Sequence, residues 1–196
     1  MHKRLIYIPA ILGIITIIFL IPNLSAQALS NKPGDIIITK NTSAKGILGH
    51  TGIFIGSNQI LHASGWKSEP YPIIFTKKQW EERYGNSKVI RPKSAKLGEK
   101  AADKAISSFT KYDKKKKKRV GKHIPYKISR NPENIKETYC SELIWYSYYK
   151  VGKSYKVSVP YYGFAEPDII EPYDYIKPTL VDYNGFKFVD NTWSKQ

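Results

Sequence analysis

The chain has 196 residues, enough for one domain with a sizeable core and too few for two comfortable ones. Its 32 basic residues against 16 acidic ones give a formal net charge of +16, which predicts a polyanionic neighbour. Its single cysteine excludes a disulfide bond within the chain.

The first 28 residues have the pattern of a secretory signal peptide. A basic start at residues 2–4 precedes an apolar run over residues 5–21 and a small-residue cleavage site at residues 26–28. We therefore predict a removed signal followed by one domain over residues 29–196. The alternative is an uncleaved membrane anchor, because the apolar run is only slightly short for a bilayer span. Either alternative predicts an extracytoplasmic protein, secreted or associated with the cell envelope.

Short strands are predicted in the first half of the domain. The β-branched run Ile36–Thr39 predicts a buried strand. Two longer runs, residues 50–56 and 59–63, flank a short polar turn and predict a β-hairpin. Residues 88–91 predict a further strand that a proline ends.

Helices are predicted around and after these strands. Residues 80–84 predict a single helical turn. Ser94 is expected to cap a helix that runs through Phe109 into the six consecutive cations at residues 114–119, whose charge complements the helix dipole. At the C-terminus, residues 181–188 contain an Asn-Gly pair and predict a terminal hairpin.

The most informative residue is Cys140, because an exported chain with one cysteine keeps a free thiol. A helical apolar face follows it, formed by Leu143, Ile144, Ser147 and Tyr148. A thiol in the first turn of a helix is expected to have a lowered pKa, since the free N–H groups and the positive dipole end stabilise thiolate. The alternative is a small core residue, buried and inert.

A thiol nucleophile needs a base, and an imidazole is suited to neutral pH. His50 and His62 lie on the two arms of the predicted hairpin, whereas His2 lies in the predicted signal and His123 in a basic surface stretch. A strict two-residue turn would pair His62 with Ile53 and place the two imidazoles on opposite faces. A three-residue loop or a bulge would place them on one face. The spacing alone leaves both alternatives open.

The hairpin resembles the catalytic β-hairpin of NlpC-type cell-wall cysteine peptidases, within the papain-like superfamily. The matching segments are residues 34–37, 49–56 and 60–63. In that family the cysteine helix precedes the Gly-Asp strand, whereas here residues 139–144 follow it. This order resembles the circularly permuted branch of YiiX/YebB-like hydrolases and lecithin:retinol acyltransferase relatives. The resemblance extends from Pro33 to about Pro172, and the segment after it has no counterpart.

The resemblance implies an α+β class and a permuted papain-like fold, in which an antiparallel sheet or barrel packs against the cysteine-bearing helix. It implies Cys140 as the nucleophile, His50 as the base and His62 as the residue that orients the base. Many YiiX-like members have Glu at the third position, so His62 departs from that branch and matches the NlpC and acyltransferase branches. Tyr139, next to the nucleophile, is a candidate to line the site or donate to the oxyanion, with core packing as its alternative.

These residues imply an exported cysteine hydrolase that cleaves amide bonds in cell-wall peptides through a thioester, without a cofactor. Two alternatives stay open: a lipid-directed thiol acyltransferase or lipase, and a non-catalytic cationic wall-binding module. A zinc site made of Cys140, His50 and His62 would lack the tight spacing of zinc motifs. The expected partners are a cell-wall peptide or a lipid acyl substrate, and an anionic wall polymer or membrane surface rather than nucleic acid. The expected state is a monomer.

Overall fold

The computed structural model describes residues 30–42, 48–69 and 71–193. The predicted signal peptide, residues 1–28, lies outside the described residues. The strands are β1 (Ile36–Thr39), β2 (His50–Phe54), β3 (Gln59–His62), β4 (Ile73–Thr76), β5 (Ser87–Pro92), β6 (Thr110–Asp113), β7 (Lys118–Gly121), β8 (Val157–Val159), β9 (Gly163–Ala165) and β10 (Phe186–Asp190). The helices are α1 (Lys77–Tyr84), α2 (Ala95–Phe109), α3 (Cys140–Tyr149) and α4 (Pro178–Tyr183), with a 3₁₀ turn at Pro172–Ile176.

Six strands form one antiparallel sheet in the order β10-β5-β1-β2-β3-β4. The sheet is open, with β10 and β4 at its edges, so the expected α+β class is confirmed and the barrel alternative is wrong. Two separate hairpins, β6–β7 and β8–β9, lie outside this sheet. Among the described residues, no helix is long and apolar enough to cross a bilayer. The permuted papain-like arrangement stays a prediction.

The two faces of the sheet bury different clusters, because side chains alternate along each strand. On one face, Ile36 and Ile53 belong to a large core with Leu143 of α3. On the other face, Phe54 lies in a smaller core with Trp80 of α1. Helices α3 and α1 therefore cover opposite faces of the same strands, which decides where each candidate site residue points.

The predicted strand Ile36–Thr39, the histidine hairpin and the helix capped by Ser94 are confirmed. The expected continuation of that helix into the lysine run is wrong. Helix α2 ends at Phe109, and residues 114–117 form the turn between β6 and β7. Consecutive lysines in a helix would set like charges at i,i+3 and i,i+4, whereas a turn spreads them into solvent.

The predicted C-terminal hairpin is also wrong. Pro178 starts the short helix α4, and its fixed φ suits the first helical position. The Asn184 side chain donates to the Leu180 carbonyl at 2.9 Å, and Gly185, with φ +75°, ends the helix. The chain then leaves as β10, which pairs with β5. The Asn-Gly pair thus ends a helix instead of turning a hairpin.

Candidate active site

The two histidines lie on one face of the hairpin. Ile53 pairs with Leu61, and the Ile55 N–H donates to the Gln59 carbonyl at 2.9 Å, which leaves a three-residue loop, residues 56–58. The three-residue alternative is therefore the correct one. As a result, Nε2 of His50 and Nδ1 of His62 lie 2.9 Å apart and share a hydrogen bond.

Aromatic rings enclose this imidazole pair. The ring of Trp80 stacks on His50 with centroids 5.5 Å apart and meets His62 edge-on at 5.3 Å. Trp80 can approach the sheet because residue 52 is glycine: a Cβ there would lie 3.0 Å from the indole and 2.5 Å from Ile60. The indole N–H donates to the Ser87 hydroxyl at 2.9 Å, which fixes the ring. The pair is thus held in an apolar, ordered setting.

Both imidazoles are neutral at physiological pH. Burial, aided by the positive charge of Arg83, lowers the pKa of His50 to about 3. Burial, then His50 and Arg83, lowers the pKa of His62 well below its usual value. Arg83 is held by a bidentate pair with Glu69, at 2.5 and 2.9 Å. The Nε2 atom of His62 is buried and has no hydrogen-bond partner.

Cys140 is the first residue of α3 and is 4% exposed. Burial raises the pKa of its thiol. The hydroxyl and N–H of Thr51, and those of Ser141, act in the opposite direction. The Thr51 hydroxyl has no partner at hydrogen-bonding distance, so its effect on the sulfur is a longer-range one. The expectation of a lowered thiol pKa is therefore wrong, because desolvation outweighs the helix terminus.

The start of α3 is fixed by the backbone of Ile170. The Ser141 hydroxyl donates to the Ile170 carbonyl at 2.7 Å, and the Ile170 N–H donates to the Tyr139 hydroxyl at 3.1 Å. The Tyr175 hydroxyl donates to the Ser141 carbonyl at 3.1 Å. Tyr139 is thus a buried residue that helps to position the start of α3, and its role toward a substrate stays a prediction.

Two neighbouring residues of β2, His50 and Thr51, point to opposite sides of the strand. Thr51 points toward α3 and interacts with the sulfur, whereas His50 points toward α1. Within the described part of the chain, no hydrogen bond joins the sulfur to either imidazole. Tyr84 of α1 interacts with both groups. Its ring centroid lies 4.9 Å from that of His50, and its phenol interacts electrostatically with Cys140.

Three residues that interact with the sulfur were not predicted from the sequence: Thr51, Tyr84 and Tyr126. Burial, aided by the interaction of its phenol with Cys140, raises the pKa of Tyr126. Tyr84 has a buried hydroxyl without a hydrogen-bond partner, and burial raises its pKa to about 12. A sequence signal existed for Tyr84, since it lies four residues after Trp80 in a predicted helical turn and therefore on the same face. Thr51 carries no comparable signal.

Within the described ranges, no three His, Cys, Asp or Glu residues lie close enough together to hold a metal ion. A neutral thiol and the free N–H groups at a helix start lie on the α3 side of β2, the neutral imidazole pair lies on the α1 side, and tyrosine hydroxyls complete the set. This set can support attack of sulfur on a carbonyl carbon and stabilise the oxygen that becomes negative.

The chain belongs to the family described as lipoprotein N-acylation protein LnsA-like, whose model matches residues 11–192. A curated relative, an uncharacterized 30.3 kDa protein of Bacillus thuringiensis, is 31% identical over 140 residues. The match covers 69% of this chain and 50% of that protein, so the chain spans about half the length of this relative.

A solved structure with partial likeness is that of metalloprotein yiiX from Escherichia coli O157:H7. It is 19% identical, with a TM-score of 0.42 and coverage of 79% of each chain.

Proposed function

We propose that this protein is an exported thiol acyltransferase, which takes an acyl group from a lipid onto Cys140 and passes it to an amine. The observation that carries the proposal is the position of Cys140, the single thiol of the chain, at the first residue of α3, where N–H groups of Ser141 and Thr51 act on the sulfur. The family's description, lipoprotein N-acylation, supports a lipid donor and a lipoprotein amine as acceptor.

The reaction has two balanced steps. In the first, the sulfur attacks the carbonyl carbon of a lipid ester, the C–S bond forms, the C–O bond breaks, and the leaving oxygen receives the thiol proton by way of His50. In the second, the amine nitrogen attacks the thioester carbon, the C–N bond forms and the C–S bond breaks. The proton lost by the amine returns to the sulfur. Free N–H groups in the first turn of α3 stabilise the negative oxygen in both steps.

The histidine pair determines which nitrogen of His50 serves as the base. Because Nε2 of His50 bonds to Nδ1 of His62, only Nδ1 of His50 remains to take the thiol proton. That atom is basic only in the tautomer with the proton on Nε2, in which His50 donates to His62. His62 holds this tautomer and accepts a stronger hydrogen bond once His50 is charged. The proposal therefore assigns the base role to His50 and the orienting role to His62.

The thiol and the imidazole are both neutral at rest, because burial disfavours the charged form of each. The proton therefore moves during the attack on the substrate instead of residing in a preformed ion pair. The buried hydroxyl of Tyr84, which lies near both groups, is suited to relay or stabilise that transfer. A resting thiol of this kind also resists side reactions with water-soluble electrophiles.

The test uses the full-length protein, phospholipid vesicles with labelled acyl chains, and a synthetic lipopeptide with a free N-terminal amine. We expect the intact mass to rise by one acyl group, located on the peptide that contains Cys140, and labelled amide to appear on the lipopeptide. Cys140→Ala should form neither product. His50→Gln should lose most of the rate, whereas Glu99→Gln, at an exposed position on α2, should keep it. Normal transfer by Cys140→Ala contradicts the proposal.

Amide hydrolysis in cell-wall peptides is the second candidate. It uses the same thioester, with water in place of the amine, and the resemblance of the hairpin and cysteine helix to permuted NlpC-type peptidases favours it. Isolated cell walls provide the test. Cys140-dependent release of wall peptides, with no mass gain from lipid vesicles, would select this candidate over acyl transfer.

A further inference from the structure

A cationic hairpin projects from the chain shortly before the candidate site. Strands β6 and β7 enclose the longest run of cations in the sequence. Residues 110–122 contain one carboxylate, Asp113, and eight cations: Lys111, Lys114, Lys115, Lys116, Lys117, Lys118, Arg119 and Lys122. The tip, residues 114–117, is exposed.

The charge of this hairpin is available to a partner. The side chain of Asp113 accepts the backbone N–H groups of Lys115 and Lys116 at 2.9 and 3.0 Å, so it shapes the turn. Across the described part of the chain, none of the salt bridges involves one of the eight cations. Arg119 and Lys122 donate to the Thr110 hydroxyl and the Ser107 carbonyl, which are neutral groups, so the positive charge is not compensated. A surface that gathers this much uncompensated like charge is stabilised when it meets an anionic surface.

The base of the hairpin is tied to the neighbourhood of the thiol. Gly121, the last residue of β7, packs directly on the backbone of Pro72, where a Cβ would lie 1.6 Å from the carbonyl oxygen. His123 then stacks on Tyr71 with centroids 4.7 Å apart. Tyr126, five residues after Gly121, interacts with Cys140. A surface bound by the hairpin would therefore be linked to the thiol through a short, packed segment.

We propose that the β6–β7 hairpin docks the domain on a bilayer of anionic phospholipid and so brings Cys140 to the surface that holds its acyl donor. Each lysine near such a surface adds to binding, and the contributions of a cluster accumulate. Tyr112 is 59% exposed on the same hairpin, and tyrosine rings are favoured at the headgroup level of bilayers. The choice of a bilayer over a soluble polyanion rests on this ring and on the proposed lipid donor.

The experiment compares two charge-matched variants of the full-length protein in a Cys140→Ala background, which separates binding from turnover. One carries Lys114→Gln, Lys115→Gln, Lys116→Gln and Lys118→Gln. The control carries Lys96→Gln, Lys100→Gln, Lys136→Gln and Lys187→Gln, which are exposed positions elsewhere. Binding is measured by flotation with vesicles of phosphatidylcholine alone and with added phosphatidylglycerol. The affinity for vesicles with phosphatidylglycerol is divided by the affinity for vesicles of phosphatidylcholine alone. An apolar N-terminus would raise both affinities alike, so this ratio reports only the preference for anionic lipid.

We expect the hairpin variant to lose roughly 100- to 1,000-fold of the preference for anionic vesicles, the upper value applying if all four lysines lie at the surface. The control should lose far less, and about 1 M NaCl should abolish the preference of the parent protein. If both variants lose the preference for anionic vesicles equally, the proposal is overturned, because the loss would then reflect net charge and not the position of the lysines. Loss of binding to a soluble glycerol-phosphate polymer, with vesicle binding intact, would also overturn it and assign the hairpin to a wall polymer. Acylation of Cys140 by a soluble short-chain phospholipid tests the proposed function separately.

Discussion

Nε2 of His50 lies 2.9 Å from Nδ1 of His62, and both rings are buried among aromatic side chains. Both imidazoles lose their hydration when the domain folds. The residues that are candidates for catalysis therefore also affect the free energy of unfolding. The same burial that keeps the imidazoles neutral also makes them costly to protonate.

The first prediction concerns the loss of stability at acidic pH. The folded-state pKa of His50, about 3, lies below its ordinary value of 6.5, and that of His62 is lowered in the same direction. The unfolded chain therefore binds more protons below pH 6.5, so stability is lost as pH falls from 6.5 toward 3. Between pH 6.5 and 4.5, the pair should contribute about 2–4 kcal/mol of this loss. Urea unfolding at several pH values measures it.

The matched variants are His50→Gln with His62→Gln, and His123→Gln alone. The double variant should show a shallower decline of the free energy of unfolding across this window, since it has no imidazole to protonate there. His123 lies on the surface and stacks on Tyr71, so its variant should follow the parent curve. If the free energy of unfolding falls in parallel with pH for the double variant and the parent, the histidine pair does not cause the loss of stability at acidic pH.

The second prediction concerns Tyr84, whose hydroxyl is buried without a hydrogen-bond partner near the sulfur. Tyr84→Phe should lower the rate of Cys140 acylation by roughly 10- to 100-fold, the range for losing one stabilising donor. Its stability should change little, because the hydroxyl has no partner at hydrogen-bonding distance and only a longer-range interaction with Arg83 is lost. Single-turnover acylation followed by intact mass, together with thermal unfolding, separates the two effects.

Tyr148→Phe is the control for Tyr84→Phe. The Tyr148 hydroxyl is also buried but donates to the Gly34 carbonyl at 2.5 Å, away from the sulfur. Its loss should cost about 1–2 kcal/mol of stability and leave the acylation rate unchanged. If both variants lose stability and neither loses rate, Tyr84 is a packing residue only.

The third prediction concerns Gly52. Gly52→Ala would place a methyl group 2.5 Å from Ile60 and 3.0 Å from the Trp80 ring. The indole must then move away from His50, so we expect a loss of about 1–3 kcal/mol and a lower acylation rate. Gly56→Ala is the control, because its Cβ would meet only the Gln59 side chain, at 3.9 Å. Equal stability of the two variants in urea would contradict the packing role of Gly52.

The hairpin shows how far sequence patterns extend toward this fold. Strand alternation predicted both arms, but the relative face of His50 and His62 depended on whether the loop has two or three residues. That difference is a matter of local backbone geometry, which composition does not specify. The lysine hairpin was missed for another reason: a run of like charges carries no alternation, so nothing distinguished a strand pair from the end of a helix.

The candidate residues could be selected by residue type, whereas their environments could not be predicted. Cys140, His50 and His62 were selected as candidates because few residue types can act as nucleophile and base near neutral pH, and their roles stay predictions. Thr51 and Tyr84 were not selected, since their proximity to the sulfur depends on how α1 and α3 pack on opposite faces of β2. The predicted direction of the Cys140 pKa shift was wrong for the same reason: a sequence shows where a helix starts but not how deeply a residue is buried.

The last prediction concerns Glu142, two residues after Cys140 in the first turn of α3. A helix start favours a carboxylate, yet burial, aided by the negative charge of Glu137, raises the pKa of Glu142 to about 8. Both of its carboxyl oxygens are buried without hydrogen-bond partners. The folded-state pKa of Glu142 lies above the ordinary value of 4.5. The contribution of this carboxyl to the free energy of unfolding is therefore complete below pH 4.5 and is lost as pH rises through 8.

Glu142→Gln should therefore be more stable than the parent protein at pH 9, by up to about 4 kcal/mol, and lose this advantage toward pH 5. The neutral amide has nearly the same shape and no charge to bury. Glu133→Gln, at a half-exposed position paired with Lys150, should show no such pH-dependent gain. Urea unfolding from pH 5 to 9 measures the difference. A gain for Glu142→Gln that is the same at every pH would mean that packing, and not the buried charge, separates the two proteins.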